Sequence, residues 1–365
     1  MNIPLAKHYI DKDDIKSVIT ALKSDYLSQG PFTQKFESLF AKYVGTKHAV
    51  AVSSGTAGLH LAVKALGLKA ADEVITTPFS FIASTNCLLY EGIIPIFVDI
   101  HKNTLNIDPS LIEASITKRT KAILSVDIFG TPANMHEINK IAKKYNLKVI
   151  SDSCESLGSI YHGNKTGGLC DISVFSFFAN KQMTTGEGGM VTTNSKKTSE
   201  LLRSLRSQGR PINNSWLSHV RMGYNYRMTE IEAALGVSQL LKLEKMIDEK
   251  NRIYNLYKKY LSDCHDVEFL QEPNECRVSR FTVPVKIKNN KRFRVVSALE
   301  KHGIGYKIYF PPIYSFRYIK KHLKINSDNY PVCQKISKEI LCLPLFIGLN
   351  SSQVHKICTI IKESL

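Results

Sequence analysis

VFSFFANKQMTTGEGGMVTTN, residues 174–194, sets Lys181 just after an apolar run and just before a turn of threonine and glycine. The stretch ISVFSFF (172–178) predicts a strand covered on both faces, since it is mostly apolar and lacks the strict alternation of a half-solvated strand. Lysine is seldom fully buried, so one at the end of such a strand is either a surface charge or an amine kept for chemistry. The turn carries Gly186, Gly188 and Gly189, which open backbone conformations closed to other residues. An amine held against apolar neighbours loses hydration, which lowers its pKa and frees its lone pair to form a Schiff base with an aldehyde.

Upstream, strand and helix patterns alternate. HAVAVSS (48–54), DEVITTP (72–78), IPIFVDI (94–100), AILSVDI (122–128) and LKVISDS (147–153) read as strands. GTAGLHLAVKALGL (55–68) and MHEINKIAKKY (135–145) read as helices between them. Such alternation predicts a mostly parallel sheet covered by helices, an α/β fold. Before it, DKDDIKSVITALK (11–23) places Ile15, Val18, Ile19 and Leu22 on one helical face, and PFTQKFESLFAKYVG (31–45) repeats the pattern with Phe36 and Phe40 before stopping on Gly45. Past residue 190 the chain turns helical, with a long amphipathic stretch over 227–261. RFTVPVKI (280–287) and IGYKIYF (304–310) then read as strands, and 293–303 and 351–365 as helices. The expected organisation is a large domain over 1–240 and a small α+β domain over 241–365.

Composition narrows the class. At 365 residues, 43% apolar and 22% charged, the chain is ordinary for a globular protein. It has no apolar run near the ~20 residues of a membrane helix. The start, MNIPLAKHYIDKDD, lacks a secretory pattern, so a cytoplasmic protein is expected. The eight scattered cysteines are expected as free thiols, and the eleven histidines have no metal-ligand spacing, so no metal is expected. The net charge of +17 suits anionic ligands, and its densest cluster, KIKNNKRFR (286–294), reads as strand, Asn-Asn turn and helix start.

Two further stretches complete a set. In SSGTAGLHLAVKAL (53–66), a strand runs through Gly55, Thr56 and Ala57 into a helix, whose unpaired N–H groups make a phosphate site or merely a capped start. In VISDSCESLGS (149–159), Asp152 falls near the carboxyl edge of a strand, as a helix cap or as the counter-ion of a ligand cation. Phosphate cradle, carboxylate and desolvated amine are the parts that pyridoxal phosphate needs.

The segments SSGTAGLHLAVKALG, TPFSFIAS, SDSCESLGS, VFSFFANKQMTTGEGGMVTTN and GYNYRMTEIEAALGVSQLLKLE resemble, in order and spacing, the pyridoxal-phosphate-dependent sugar-nucleotide aminotransferases. The likeness runs from IPLAK (3–7) to LCLPLFIGL (341–349). It implies the fold type I transferase architecture, with a seven-stranded, mostly parallel sheet. YLSQGP (26–31) and the ANK form of the lysine motif look most like enzymes that aminate C4 of a nucleotide-linked 4-keto-6-deoxyhexose. On this resemblance Lys181 would bind the cofactor and carry protons, and Asp152 would pair with its ring nitrogen. Gly55, Thr56, Ala57 and Ser176 would meet the phosphate, and Phe81 would stack on the ring. Asn225 and Arg227, in GYNYR, would reach a neighbouring subunit's site, which implies a homodimer with shared active sites. Lys307, Tyr309 and Tyr314, in KIYFPPIY, would meet the sugar nucleotide. Glu155 stands where relatives often have Gln or His, and Tyr314 where they often have His. Lys181 argues against the dehydratase branch, which carries His there.

The expected reaction takes an amino group from L-glutamate and gives it to the keto sugar in two half-reactions, with neither membrane nor nucleic acid as partner. Amination at C3, or of a keto-inositol, is the alternative with the same cofactor. A basic nucleic-acid-binding regulator on the same fold is the alternative from another class.

Overall fold

The structure is a computed structural model and describes residues 2–211 and 217–365. Its strands, in chain order, are β1 (His48–Val52), β2 (Glu73–Thr76), β3 (Ile94–Phe97), β4 (Thr120–Val126), β5 (Lys148–Asp152), β6 (Ile160–Tyr161), β7 (Asn164–Lys165), β8 (Ile172–Ser176), β9 (Gly189–Thr193), β10 (Val267–Phe269), β11 (Cys276–Arg277), β12 (Val283–Ile287) and β13 (Ile340–Leu343). Seven of them form one sheet in the order β1-β9-β8-β5-β4-β2-β3. β9 lies antiparallel to both of its neighbours, and the remaining pairs are parallel. The carboxyl ends of β1, β5 and β8 therefore share one edge, where ligands collect in such sheets. The chain is thus an α/β protein with a mostly parallel seven-stranded sheet, as the resemblance implied.

Of helices α1 (Lys12–Leu22), α2 (Pro31–Val44), α3 (Gly55–Ala65), α4 (Ala83–Leu89), α5 (Met135–Tyr145), α6 (Lys196–Arg206), α7 (Glu230–Leu241), α8 (Leu243–Tyr260) and α9 (Arg292–Lys301), all but α4 fall in stretches read as helical. In α2 the apolar stripe points inward: Phe36 and Phe40 are fully buried, and Phe40 meets Phe175 edge-on at 5.1 Å. Burial of each such ring contributes about 1.5–3 kcal/mol. Gly45 ends the helix at φ 76°, a left-handed cap that suits glycine.

Four readings change. The apolar stripe of α1 faces solvent, with Ile15 53% and Leu22 55% exposed. The inner face instead holds Asp14, whose Oδ2 accepts from Gln239 Nε2 (2.8 Å) and Lys242 Nζ (2.6 Å). The amphipathic stretch over 227–261 is two helices that break at Lys242, where the backbone leaves helical geometry. IGYKIYF is no strand: it makes only isolated bridges, Ile304 to Ile3 and Lys307 to Cys342, and the sheet beside it is closed by β13. The segment after the glycine turn, not read as a strand, is β9.

A second apolar cluster, with Ile253, Tyr257, Val285 and Leu341, lies around the antiparallel β10-β12-β13 sheet. Residues Phe310, Ile336 and Cys342 of the same C-terminal part pack instead into the core of the large sheet. The basic cluster 286–294 is strand end, turn and helix start as expected, with Asn289 and Asn290 at positive φ. Three of its cations are paired: Lys286 and Lys288 with Glu268, and Lys291 with Asp266. All eight cysteines are free. Among the described residues, no helix is long and apolar enough to cross a membrane, and no group of three His, Cys, Asp or Glu could hold a metal.

Candidate active site

A cavity of about 340 Å³ opens at the carboxyl edge of the sheet, lined by Gly55, Thr56, Phe81, Asp152, Glu155, Ser176, Lys181 and Tyr309 among others. Local rules bring its walls together. Adjacent parallel β5 and β8 end at Asp152 and Ser176, and α3 begins just beyond β1. Ser54 caps α3, its Oγ accepting from Ala57 N at 3.1 Å. A helix start presents N–H groups without intrahelical acceptors, so Gly55 and Thr56 face the cavity as donors. A Cβ on Gly55 would stand 2.9 Å from both Cys154 Sγ and Ser176 Cβ, so only glycine lets α3 start this close to β8. Gly189 makes the same kind of approach, at 2.7 Å from the Ser54 carbonyl.

Asp152 is 6% exposed, and both its oxygens are held. Oδ2 accepts from Ser84 Oγ at 2.7 Å and Oδ1 from Cys154 N at 3.2 Å. Ser84 Oγ in turn lies 2.8 Å from Ser80 Oγ. Since Ser84 has one proton and spends it on Asp152, Ser80 is the donor of that second bond. The Lys181 side chain is 14% exposed, its Nζ 3.5 Å from Glu155 Oε1 and 4.7 Å from the centre of the Phe281 ring. Lys181 N donates to Phe178 O at 3.0 Å, the turn that carries the side chain inward. Glu155 also accepts from Phe129 N at 2.8 Å. Burial pushes its carboxyl pKa up, and the Lys181 charge opposes that shift.

The structure thus joins Lys181, Asp152, Glu155, Ser176, Gly55, Thr56, Phe81 and Tyr309 in one space. Phe81 stands at its rim, 59% exposed. Five expected residues lie elsewhere. Ala57 is 5% exposed and its N–H is taken by Ser54, so it stands too deep to donate to a ligand. Lys307 is exposed and joins only by backbone to Cys342. Tyr314 is buried and stacked on Tyr330 at 5.2 Å, below a separate groove near Lys320. Asn225 is exposed, with its backbone bridged to Ser207. Arg227 is half-buried and its Nη1 has no acceptor among the described residues. Burial, and then the charges of Arg210 and Arg206, hold its pKa below the usual guanidinium value. Sequence reasoning missed Ser84 and Ser80, although both lie in the quoted TPFSFIAS. Ser84 meets Asp152 across 68 positions, and no local pattern announces that pairing.

The cavity fits pyridoxal phosphate. It pairs a shielded amine with a fixed carboxylate, offers a glycine-backed helix start for the phosphate, and carries aromatic rings for a flat ligand. Asn180 Oδ1, in the same wall, is buried without a partner among the described residues. Such an arrangement can bind an aldehyde at Lys181 and hold a protonated ring nitrogen at Asp152.

Comparison with known proteins supplies the family. The pattern of the DegT/DnrJ/EryC1/StrS aminotransferase family matches residues 8–362. The GDP-perosamine synthase of Escherichia coli O157:H7 is 37% identical over 368 residues, covering 99% of this chain and 98% of that protein. Among solved structures, Helicobacter pylori PseC, an aminotransferase involved in the biosynthesis of pseudoaminic acid, superposes with a TM-score of 0.95 at 31% identity, covering 100% of this chain and 99% of PseC. Spr1654 of Streptococcus pneumoniae, solved in PLP and PMP forms, does so with a TM-score of 0.94 at 27% identity, over 100% of this chain and 98% of its own. A family pattern spanning nearly the whole chain, on a fold whose strand ends supply an amine and a carboxylate, places this protein in the DegT/DnrJ/EryC1/StrS aminotransferase family, the pyridoxal-phosphate-dependent sugar aminotransferases of fold type I.

Proposed function

We propose that this aminotransferase moves an amino group from L-glutamate to C4 of a nucleotide-linked 4-keto-6-deoxyhexose, in the manner of a perosamine- or viosamine-type amino-sugar synthesis for surface glycans. The observation that carries the reading is the shared cavity of Lys181, Asp152 and the α3 start. The likeness to a GDP-perosamine synthase supports the choice of sugar.

Bound there, pyridoxal phosphate supplies an aldehyde that condenses with amines and a protonated ring that draws in an electron pair left on carbon. Lys181 Nζ is the group that holds it, and then the base that takes the proton from the donor's Cα and later returns one to the acceptor carbon. Asp152, negative and fixed by Ser84 and the Cys154 N–H, keeps the proton on the ring nitrogen. Gly55 and Thr56 N–H groups and the Ser176 hydroxyl receive the phosphate. Phe81 covers one face of the ring and excludes water. Burial raises the Glu155 carboxyl pKa, which would lessen the repulsion a carboxylate exerts on a phenolate oxygen. Tyr309 sits on the sugar side of the cavity, and Lys307 and Tyr314 belong to the same segment.

Asn225 and Arg227 serve a second copy of the chain. The exposed Asn225, the Arg227 Nη1 without a partner among the described residues and the exposed Leu217 (85%) and Met222 (78%) just upstream fit a face that another subunit covers, in a homodimer. The test is incubation with glutamate and a panel of nucleotide keto sugars together with a keto-inositol, with products read by mass spectrometry and the aminated carbon by NMR. A 4-amino product is expected, with parallel initial-rate lines against the two substrates. A 3-amino sugar, an aminated inositol or intersecting lines would overturn it.

A further inference from the structure

The buried face of α8 is Leu243, Met246, Ile247, Lys250, Ile253, Tyr254 and Tyr257, an unbroken helical stripe that is apolar except at Lys250. The residues before it, Leu243, Met246 and Ile247, belong to the cluster under α2 and β9. Ile253, Tyr254 and Tyr257 belong to the cluster around the β10-β12-β13 sheet. Lys250 therefore sits where one helix passes from one core into the other. It is 6% exposed, and burial lowers its pKa to about 8. Among the described residues no carboxylate pairs with it. Its Nζ donates instead to two consecutive carbonyls, Lys181 O at 3.2 Å and Gln182 O at 3.4 Å.

A buried ammonium without a counter-ion is costly, and a leucine or methionine would fill the stripe without that cost. The local rule is broken at the one place that touches the backbone of Lys181, and such breaks mark function. The dipeptide is gripped from the other side as well. Gln182 Nε2 donates to Ser279 O at 2.9 Å and to the Glu155 carbonyl. We propose that Lys250 is the positioning residue for Lys181: its ammonium fixes the 181–182 backbone to α8 and so sets where the Lys181 amine stands in the cavity. This rests on the reading of Lys181 as the cofactor-binding base.

The test compares wild type, Lys250→Met and Lys250→Arg as full-length holoenzymes, and follows backbone hydrogen exchange in the same chains without cofactor. Lys250→Met should lower kcat about 10–100-fold through misplacement of the amine, with KM for the amino donor changed less than about twofold. Exchange in the peptide over 178–186 should speed up about tenfold while other peptides keep their protection. Lys250→Arg should recover most of both. Unchanged kcat and protection in Lys250→Met, or losses spread over the whole chain that Lys250→Arg does not recover, overturn the proposal. If Lys250→Met does not fold, Lys250→Gln is read by the same criteria. Borohydride reduction of the wild type separates the two claims: no cofactor mass on the Lys181 peptide defeats the reading of Lys181. That mass present alongside an unaffected Lys250→Met defeats only the positioning role.

Discussion

At the strand ends Asp152 has both oxygens hydrogen-bonded and Lys181 stands over Phe281, whereas in the loop 223–227 Asn225 is exposed and Arg227 keeps a buried nitrogen without an acceptor among the described residues. One chain completes the first region and leaves the second open. The sheet accounts for the contrast: parallel neighbours end together, so residues placed at strand ends meet without help. A loop beyond the sheet has no such constraint, and its polar groups are not brought together in the same way. The centre thus holds the amine and the carboxylate together, and under the proposed function the open rim is the part left for a partner subunit.

The sharpest break of the centre is Lys181→Ala. Turnover should vanish, and borohydride should no longer fix cofactor to the protein; residual turnover at wild-type levels would show that another amine does the work. Asp152→Asn keeps the shape and removes the charge. A drop of about 10²–10³-fold in kcat is expected, as for other lost electrostatic contacts in a shielded site, and steady-state kinetics on the reconstituted enzyme check it. The rim is tested by mixing. Lys181→Ala and Arg227→Ala chains, each inactive alone, should regain about a quarter of wild-type activity when subunits exchange, because half the dimers then hold one intact site of two. No recovery would place Arg227 in its own chain's site. The smallest effect is expected of Ser84→Ala, which frees one oxygen of a buried carboxylate. It should destabilise the fold by about 1.5–3 kcal/mol, the worth of a hydrogen bond to a charged group, in urea denaturation of the cofactor-free protein.

Much of the centre was legible because its residues sit in short contiguous strings. Lys181 and Asp152 stand out where apolar strands end, and Gly55 and Thr56 where a strand turns into a helix, while Ser176 came from the resemblance. Ala57 gives its N–H to the Ser54 cap, a competition between Ser54 and a ligand that the string itself does not show. Tyr314 was expected at the substrate on the resemblance alone, and the structure buries it against Tyr330. The two helices α1 and α2 make the point for packing. Both carry the same apolar period, but only α2 turns its stripe to the core, and a period specifies a stripe without specifying what covers it.

By itself the sequence determined the alternation of strands and helices, the charge, the family and the residues at strand ends, since each of these rests on near neighbours along the chain. Tertiary structure alone decided that Ser84 holds Asp152, that Lys250 braces Lys181 and that the α1 stripe faces outward. Those pairings join positions 68 and 69 apart in the first two cases, and a contact made by folding leaves no trace in the local pattern of either partner.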